Sequence, residues 1–197
     1  MLTVLIACSS KNGPLSQEVS TPVTSQTAFS PTPNPITMLP TVKDPMCCLG
    51  GVPDTHPAPL GYAVPLGDGR LVVGVLEVTR PANDIITEAS PSNPAPPAGW
   101  EYLIVKVIVQ CIADDSNTDN PCDLGLGVLF RVIDSTGTYH EEAPELAEVP
   151  DQFELPSNIN TAFTTTGNVV FLVPTSESDL VLNFSWPNNA HVLLALY

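Results

Sequence analysis

Short runs of alternating apolar and polar residues, separated by clusters of Pro, Gly, Asn and Asp, fill the chain beyond about residue 49. The clearest run, 101–113, places alternate apolar side chains from Leu103 to Val109 on one face, and Lys106 and Gln110 on the other. A period of two residues is typical of a half-buried strand. Similar runs are 70–79, 126–134, 168–173, 180–186 and 191–197, with weaker candidates near Tyr62 and Phe163. This spacing predicts an all-β sandwich of seven or eight strands.

Helical periodicity is weak by comparison. In the segment 141–155 we expect at most one short helix, because Pro144 and Pro150 interrupt the pattern. Two sets of turn residues, 135–137 (Ser-Thr-Gly) and 187–189 (Pro-Asn-Asn), fall between apolar runs and predict a turn and a hairpin. The fold class predicted from the pattern is therefore all-β.

The composition changes before this region. Of the 38 residues in 9–46, 12 are Ser or Thr and 7 are Pro, and Phe29 is the only aromatic residue. Proline lacks the amide donor that helices and sheets require, so such a segment favours disorder. We expect a disordered linker over 9–46, about 30–35 Å across as a flexible coil, followed by one domain over 47–197.

The first eight residues end in Leu5-Ile6-Ala7-Cys8, which matches a bacterial lipobox. This predicts a lipoprotein signal segment over 1–8, with lipid attached to Cys8. The apolar stretch is short and no basic residue precedes it, which a translation start upstream of Met1 would explain. The alternative is a buried N-terminal strand with a core cysteine. Under the first hypothesis the protein is anchored at the extracellular face of the cell membrane.

Several turn and strand signatures add a resemblance. They are Pro59-Leu60-Gly61, Gly67-Asp68-Gly69, Asn93-Pro94, the stretch 97–103 (PAGWEYL), 167–171 (GNVVF) and 179–182 (DLVL). Together these residues, which span 57–197, resemble a family of bacterial extracellular domains with a telokin-like immunoglobulin fold. The resemblance implies a lipid-anchored domain behind a Ser/Thr/Pro linker and carries over no catalytic residue. Gln110-Cys111 stands where many relatives have Asn, so this cysteine is particular to the present chain.

Four cysteines accompany Cys8, an even number that fits an oxidising compartment. Cys111 and Cys122 flank one loop, and a disulfide between them is the pairing we favour. Cys47 and Cys48 then form a vicinal disulfide, or each instead bridges to one cysteine of the loop. A copper site is a further hypothesis for the thioether, thiolate and imidazole groups of Met46, Cys47, Cys48 and His56.

The loop 114–123 is acidic, and its residues Asp115, Asn117 and Asp119 alternate as calcium ligands can. Asn120 and Leu126 occupy the positions where an EF-hand needs Gly and Glu, so the match is partial. The alternative is a solvated turn in which Asp and Asn bond to their own backbone. Apart from calcium in this hypothesis, we expect no cofactor.

A second acidic segment, 141–154, contains six acids and no base. A solvated loop is one interpretation, and a docking surface for a basic partner is the other. The candidate contact residues are Glu141, Glu142, Glu145, Glu148, Asp151 and Glu154.

Net charge is −15, from 21 acidic and 6 basic residues, and ten of the acids lie in these two segments. So few basic residues exclude nucleic-acid binding, which depends on neutralising phosphates. No apolar run reaches the 18 residues of a membrane-spanning helix. Catalytic motifs are missing from the sequence, and His56, His140 and His191 lie in unrelated contexts. The sequence thus predicts a non-enzymatic, lipid-anchored interaction module that contacts another envelope protein, or alternatively a calcium- or ligand-binding domain.

Overall fold

A computed structural model describes residues 39–44, 48, 56–66, 69–112, 122, 129–143, 146–156, 162–186 and 190–197. The predicted signal segment 1–8, residues 9–38 of the predicted linker and the loop 113–121 lie outside these ranges. Within them, no helix is long and apolar enough to cross a membrane.

Eight strands and one helix make up the described part of the chain. In order they are β1 (Ala63–Leu66), β2 (Leu71–Thr79), α1 (Asn83–Ala89), β3 (Trp100–Cys111), β4 (Leu129–Ile133), β5 (Tyr139–Glu141), β6 (Phe163–Pro174), β7 (Val181–Trp186) and β8 (Ala190–Ala195). The strands form two four-stranded sheets, in the orders β1-β2-β3-β6 and β5-β4-β7-β8.

All the strand pairs are antiparallel. β3 pairs with β6 and β4 with β7, although neither pair is consecutive, which is the Greek-key crossing of immunoglobulin-like sandwiches. The predicted all-β sandwich is confirmed. β7 and β8 pair from Trp186 opposite Ala190, as the sequence predicted for a hairpin.

The core lies between the sheets and is built from inward-facing positions of both. The alternation assigned Leu103, Val105, Val107 and Val109 of β3 to one face. All four side chains are fully buried in the core. Phe130 of β4 and Phe184 of β7 contact each other with ring centroids 5.3 Å apart. Burial of these large apolar side chains supplies the main driving force for the fold.

The helix occupies a position that the sequence pattern did not indicate. α1 follows β2 and buries Ile86 against the outer face of the first sheet, where Tyr102, Ile104 and Val170 complete a second apolar cluster. The described residues of 141–155 contain no helix, so the one short helix that the sequence allows there does not form in them. Their backbone groups pair with β6 instead, which satisfies them as a helix would.

Short segments cover three edge strands. Val42 donates its amide to the carbonyl of Ala63 on β1 (2.9 Å), so residues of the predicted linker pair with the domain. Ala58 pairs with β8 in the same manner (2.8 Å to the carbonyl of Leu193), and residues from 142 to 153 pair with β6. Covered edges do not offer free backbone groups to other chains, so sheet extension is blocked at these positions.

Candidate functional site

The acidic segment 141–154 lies along the outer edge of β6, the edge that does not pair with β3. Ala143 donates its amide to the carbonyl of Val170 (2.8 Å), and Phe153 donates to the carbonyl of Asn168 (3.0 Å). In return the Asn168 amide donates to the carbonyl of Asp151 (2.8 Å), and its side-chain amide donates to the carbonyl of Pro150 (2.7 Å). The segment is therefore attached to the sheet at both of its ends and is not an independent loop.

Close approach at the far end depends on Gly167 of β6. A Cβ atom at this position would lie 2.4 Å from the Cα of Phe153 and 2.6 Å from its amide nitrogen. Real Cβ atoms do not approach backbone this closely, so the segment reaches β6 because the residue is glycine. The Phe153 ring then packs edge-on against Phe130, with centroids 5.2 Å apart.

The middle of the segment is held by Asn93, a polar residue with only 6% of its surface exposed. Its Nδ2 donates to the carbonyls of Ile86 and Glu148, both at 2.7 Å. Its Oδ1 accepts from the amides of Ala147 (2.7 Å) and Glu148 (3.2 Å). One side chain thus joins the helix to the acidic segment and satisfies its own buried polar atoms.

An apolar cleft of about 380 Å³ opens between this segment and the loop that precedes β3. Its walls are apolar side chains from the loop, the sheet and the segment, and two glutamates stand at its rim. The lining residues are Pro94, Ala95, Pro97, Tyr102, Glu141, Glu142, Ala143, Leu146 and Leu172. Tyr102 is fixed in the floor because its hydroxyl donates to the carbonyl of Pro94 (3.0 Å).

The two rim glutamates have different surroundings. Glu141 forms an ion pair with Arg131, at 2.7 Å between Oε1 and Nε, and both side chains are well exposed. Burial of its carboxyl raises the pKa of Glu142, while a hydrogen bond from the backbone amide of Phe130 opposes the rise and the charge of Glu141 adds to it. Glu142 is therefore a partly desolvated acid at the mouth of an apolar cleft.

A separate polar cluster lies at one end of the second sheet. Asp134 follows β4 and accepts hydrogen bonds from the amide and hydroxyl of Thr136 (2.9 and 2.7 Å), the amide of Thr138 (2.9 Å) and Nε2 of His140 (3.0 Å). The Thr136 hydroxyl is the largest influence that holds the pKa of Asp134 far below its usual range. The His140 ring packs edge-on against Trp100. These contacts fix the turn between β4 and β5.

Arg80 performs a comparable role where β2 ends. It forms an ion pair with Glu101 on β3 (2.5 Å) and donates to the carbonyls of Pro174 (2.8 Å) and Glu177. Its partners lie in β3, at the end of β6 and in the turn that follows β6, and the contacts are half-buried. The arginine therefore connects strand ends, and we assign it a structural role.

The favoured disulfide between Cys111 and Cys122 is confirmed. Cys111 and Cys122 form a disulfide with their Cα atoms 5.8 Å apart. Cys48 is also disulfide-bonded and is fully buried in the core. Met46, Cys47 and Cys8 lie outside the described residues. Cys48 is thus engaged in a disulfide, which contradicts a role for its thiolate in the copper hypothesis.

The predicted calcium ligands Asp115, Asn117 and Asp119, together with Glu145 of the acidic segment, also lie outside the described residues. In the part of the chain that the structure does describe, no three His, Cys, Asp or Glu side chains come together as metal ligands.

The remaining predicted contact residues are all exposed: Glu141, Glu142, Glu148, Asp151 and Glu154. Glu141 ends β5, and the others belong to the segment that pairs with the edge of β6. The cleft beside them was not predicted. One signal for it was present, because Tyr102, Ile104 and Ile108 place apolar side chains on the same face of β3 as Lys106. Apolar residues on both faces of a strand indicate that something covers the second face.

No protein-family model matches this sequence, and a comparison with curated proteins also yields no match. Two solved structures are similar in fold. One is a secreted protein of Mycobacterium tuberculosis, MPT63, at 15% identity and a TM-score of 0.41, with 71% of this chain and 98% of that chain covered. The other is an uncharacterized beta-sandwich protein of Clostridium difficile 630, at 10% identity and a TM-score of 0.36, with 72% and 95% covered.

Proposed function

We propose that the protein is a lipid-anchored extracellular interaction module that contacts another envelope protein through the acidic segment 141–154. The observation that carries this proposal is that the exposed carboxylates of the segment are attached to a rigid sheet edge. Hydrogen bonds from Asn93 and Asn168 hold the backbone beneath them. Charges held in position can steer and orient a basic partner without the entropy cost of ordering a loop.

Two features support the extracellular part of the proposal. The Cys111–Cys122 disulfide fits an oxidising compartment, where such bonds persist. The lipobox that ends at Cys8 supplies an anchor, and the Ser/Thr/Pro segment after it supplies reach. Replacing Cys8 with Ser removes the thiol that accepts the lipid, so we expect the variant to leave the membrane fraction. Retention of the Cys8→Ser variant in washed membranes would contradict lipid anchoring.

Partner contact is tested by carbodiimide cross-linking of the full chain in native membranes, because this reagent joins carboxylates to lysine amines without a spacer. We expect one repeated partner, cross-linked within the segment 141–154 and identified by mass spectrometry. The double variant Asp151→Asn/Glu154→Gln should lower the yield at least about fivefold, since exposed charges act chiefly on association rate.

The matched control is Asp84→Asn/Glu88→Gln on α1, which removes the same charge from another exposed surface. It should leave the yield within about twofold of the wild type. Equal losses in the two variants would show a general charge effect, and cross-links confined to other parts of the domain would place the contact elsewhere. Either result would refute contact through this segment.

We keep calcium binding by the loop 114–123 as a second proposal, because the Cys111–Cys122 disulfide closes the chain around residues 114–121 of that loop. Closing a loop lowers the entropy cost of gathering its oxygens around an ion. The oxidised protein should then unfold at a higher temperature with about 2 mM calcium than with a chelator. This concentration is on the order of the millimolar dissociation constants of extracellular calcium modules. Unchanged unfolding would remove this alternative.

A further inference from the structure

We propose that the cleft beside the acidic segment binds an extended peptide that presents an aliphatic side chain next to a lysine or arginine. The inference deepens and rests on the proposed function, because it states the chemistry of the partner at the same surface. Two observations support it: the cleft is already formed, and its floor is apolar whereas its rim is acidic.

The floor of the cleft is apolar and fixed. Tyr102 is 3% exposed and anchored through its hydroxyl to Pro94, and Leu172 and Leu146 flank it. The opposite wall is formed by Pro94 and Pro97, whose backbones have a fixed φ angle. A volume of about 380 Å³ lies within the roughly 300–1,000 Å³ range of ligand pockets. A cleft that is already formed binds an aliphatic group with little ordering cost.

The rim carries the charge. Glu141 is the last residue of β5, and Glu142 follows it directly. Both line the cleft. Glu141 is already paired with Arg131, whereas the Glu142 carboxyl accepts a backbone amide. A cation that enters the cleft would meet Glu142 beside the apolar side chains that line it. The complementary ligand therefore combines an apolar group with a positive charge at short separation.

The surroundings favour a peptide over a small free amine. Exposed carboxylates continue from the cleft along the edge of β6 to Asp151 and Glu154. The backbone groups of β6 itself are already paired there, so the partner is recognised through its side chains and not by strand addition. A chain that places its aliphatic residue in the cleft can extend further basic residues over this acidic path.

The test is an NMR titration of the full chain, with backbone amides observed, using the capped dipeptide acetyl-Leu-Lys-amide. Short peptides bind weakly, so we expect saturation at millimolar concentration, with shifts at Ala95, Tyr102 and Ala143. The capped dipeptide acetyl-Leu-Glu-amide should bind at least about tenfold more weakly, because its charge repels Glu142. Equal shifts with the two dipeptides, or shifts located elsewhere, would overturn the proposal.

Two variants separate the floor from the rim. Glu142→Gln should weaken the Leu-Lys dipeptide about fivefold, and Ala95→Phe should abolish binding by filling the cleft from its exposed loop. Glu88→Gln on α1 serves as the matched control and should change affinity less than twofold. Unchanged binding to Glu142→Gln, or binding of butylamine as strong as that of the dipeptide, would refute the assignment of a basic and aliphatic peptide.

The outcome is distinguishable from that of the cross-linking experiment, because the dipeptide needs no partner protein. Failure of the titration with persistent cross-links in the segment 141–154 would overturn the cleft proposal and leave the docking surface in place. Dipeptide binding without any cross-linked partner would support the cleft and overturn partner contact in the membrane.

Discussion

The outer faces of the two sheets differ, although the same antiparallel pairing builds each of them. On the first sheet, Ile104 and Val170 are 6% and 4% exposed because α1 and the acidic segment pack over them. On the second sheet, Leu129 and Tyr139 at outward positions of β4 and β5 are 38% and 53% exposed. A sheet face alone therefore does not make a cleft, and the candidate site arises from the covering segments.

Each of the two regions contains one buried asparagine, and the two differ in how fully their side-chain amides are hydrogen-bonded. Asn93 forms four hydrogen bonds and joins the covering segments to one another. Asn183 on β7 is equally buried at 6% exposure, yet its Oδ1 finds no hydrogen-bond partner among the described residues. The covered face is thus maintained by a satisfied polar side chain as well as by apolar contact.

The largest expected difference in stability is between alanine variants of these two asparagines. Asn93→Ala leaves two carbonyls and two amides without their partner, so we expect a loss of about 3 kcal/mol in the free energy of unfolding. Asn183→Ala removes no bond to Oδ1 and should cost less than about 1 kcal/mol. Urea unfolding of the two variants measures the difference. Similar losses would show that the two faces do not depend differently on their buried amides.

The attachment of the acidic segment to β6 predicts an intermediate effect. Gly167→Ala forces a Cβ against the backbone of Phe153, and we expect destabilisation of about 1–3 kcal/mol together with faster amide exchange in residues 151–154. Gly74→Ala is the matched control in the same sheet. A Cβ there would meet Cδ1 of the flexible Leu39 side chain at 2.9 Å and the backbone carbonyl of Tyr62 at 3.1 Å. This backbone contact is longer than the 2.4 Å found at Gly167, so the cost should be smaller.

If Gly74→Ala proved the more damaging of the two, attachment of the acidic segment would not be the tighter constraint. Unchanged exchange in residues 151–154 of Gly167→Ala would likewise show that the close approach to Phe153 does not hold the segment in place.

The smallest effect concerns pH and has opposite signs in the two regions. The pKa of Asp134 is lowered from its ordinary 3.8, so its contribution is present above that pH and is lost as the pH falls. The pKa of Glu142 is raised from its ordinary 4.5, so its contribution is present below that pH and is lost as the pH rises through the raised value.

Urea midpoints at pH 7 and pH 3 test these signs. Glu142→Gln should be more stable than the wild type at pH 7 by a few tenths of a kcal/mol, since the carboxyl is only partly buried and solvent screens it, and equally stable at pH 3. Asp134→Asn should be less stable at pH 7, with a smaller difference at pH 3. Shifts of the same sign in both variants would contradict the contrast between the two regions.

The sequence predicted the strands well where one rule governed them. The alternation from Leu103 to Val109 identified the inward face of β3, and a turn of Ser, Thr and Gly correctly preceded β5. It was less informative where local signals are weak. The helix Asn83–Ala89 has seven residues and one buried side chain, too few for a clear period of 3.6.

The candidate site was predicted in part. Charge clustering identified the residues from Glu141 to Glu154 as a group, because acidic density is visible in one dimension. Their path along β6 was not predictable, since it depends on Asn93 and Gly167, which are distant in sequence from parts of the segment they contact. The cleft requires three separate stretches of chain to meet, and no local pattern reports such a meeting.

By itself, the sequence determined the alternation that makes two sheets, the excess of acids and the position of the acidic segment in the chain, and it favoured Cys111–Cys122 without excluding other cysteine pairings. These properties follow from local period and composition. Tertiary structure alone decided which sheet face is covered, how the carboxylates are held, and that an apolar cleft opens beside them. Such features depend on contacts between distant residues, where one buried amide and one missing Cβ determine whether two segments can meet.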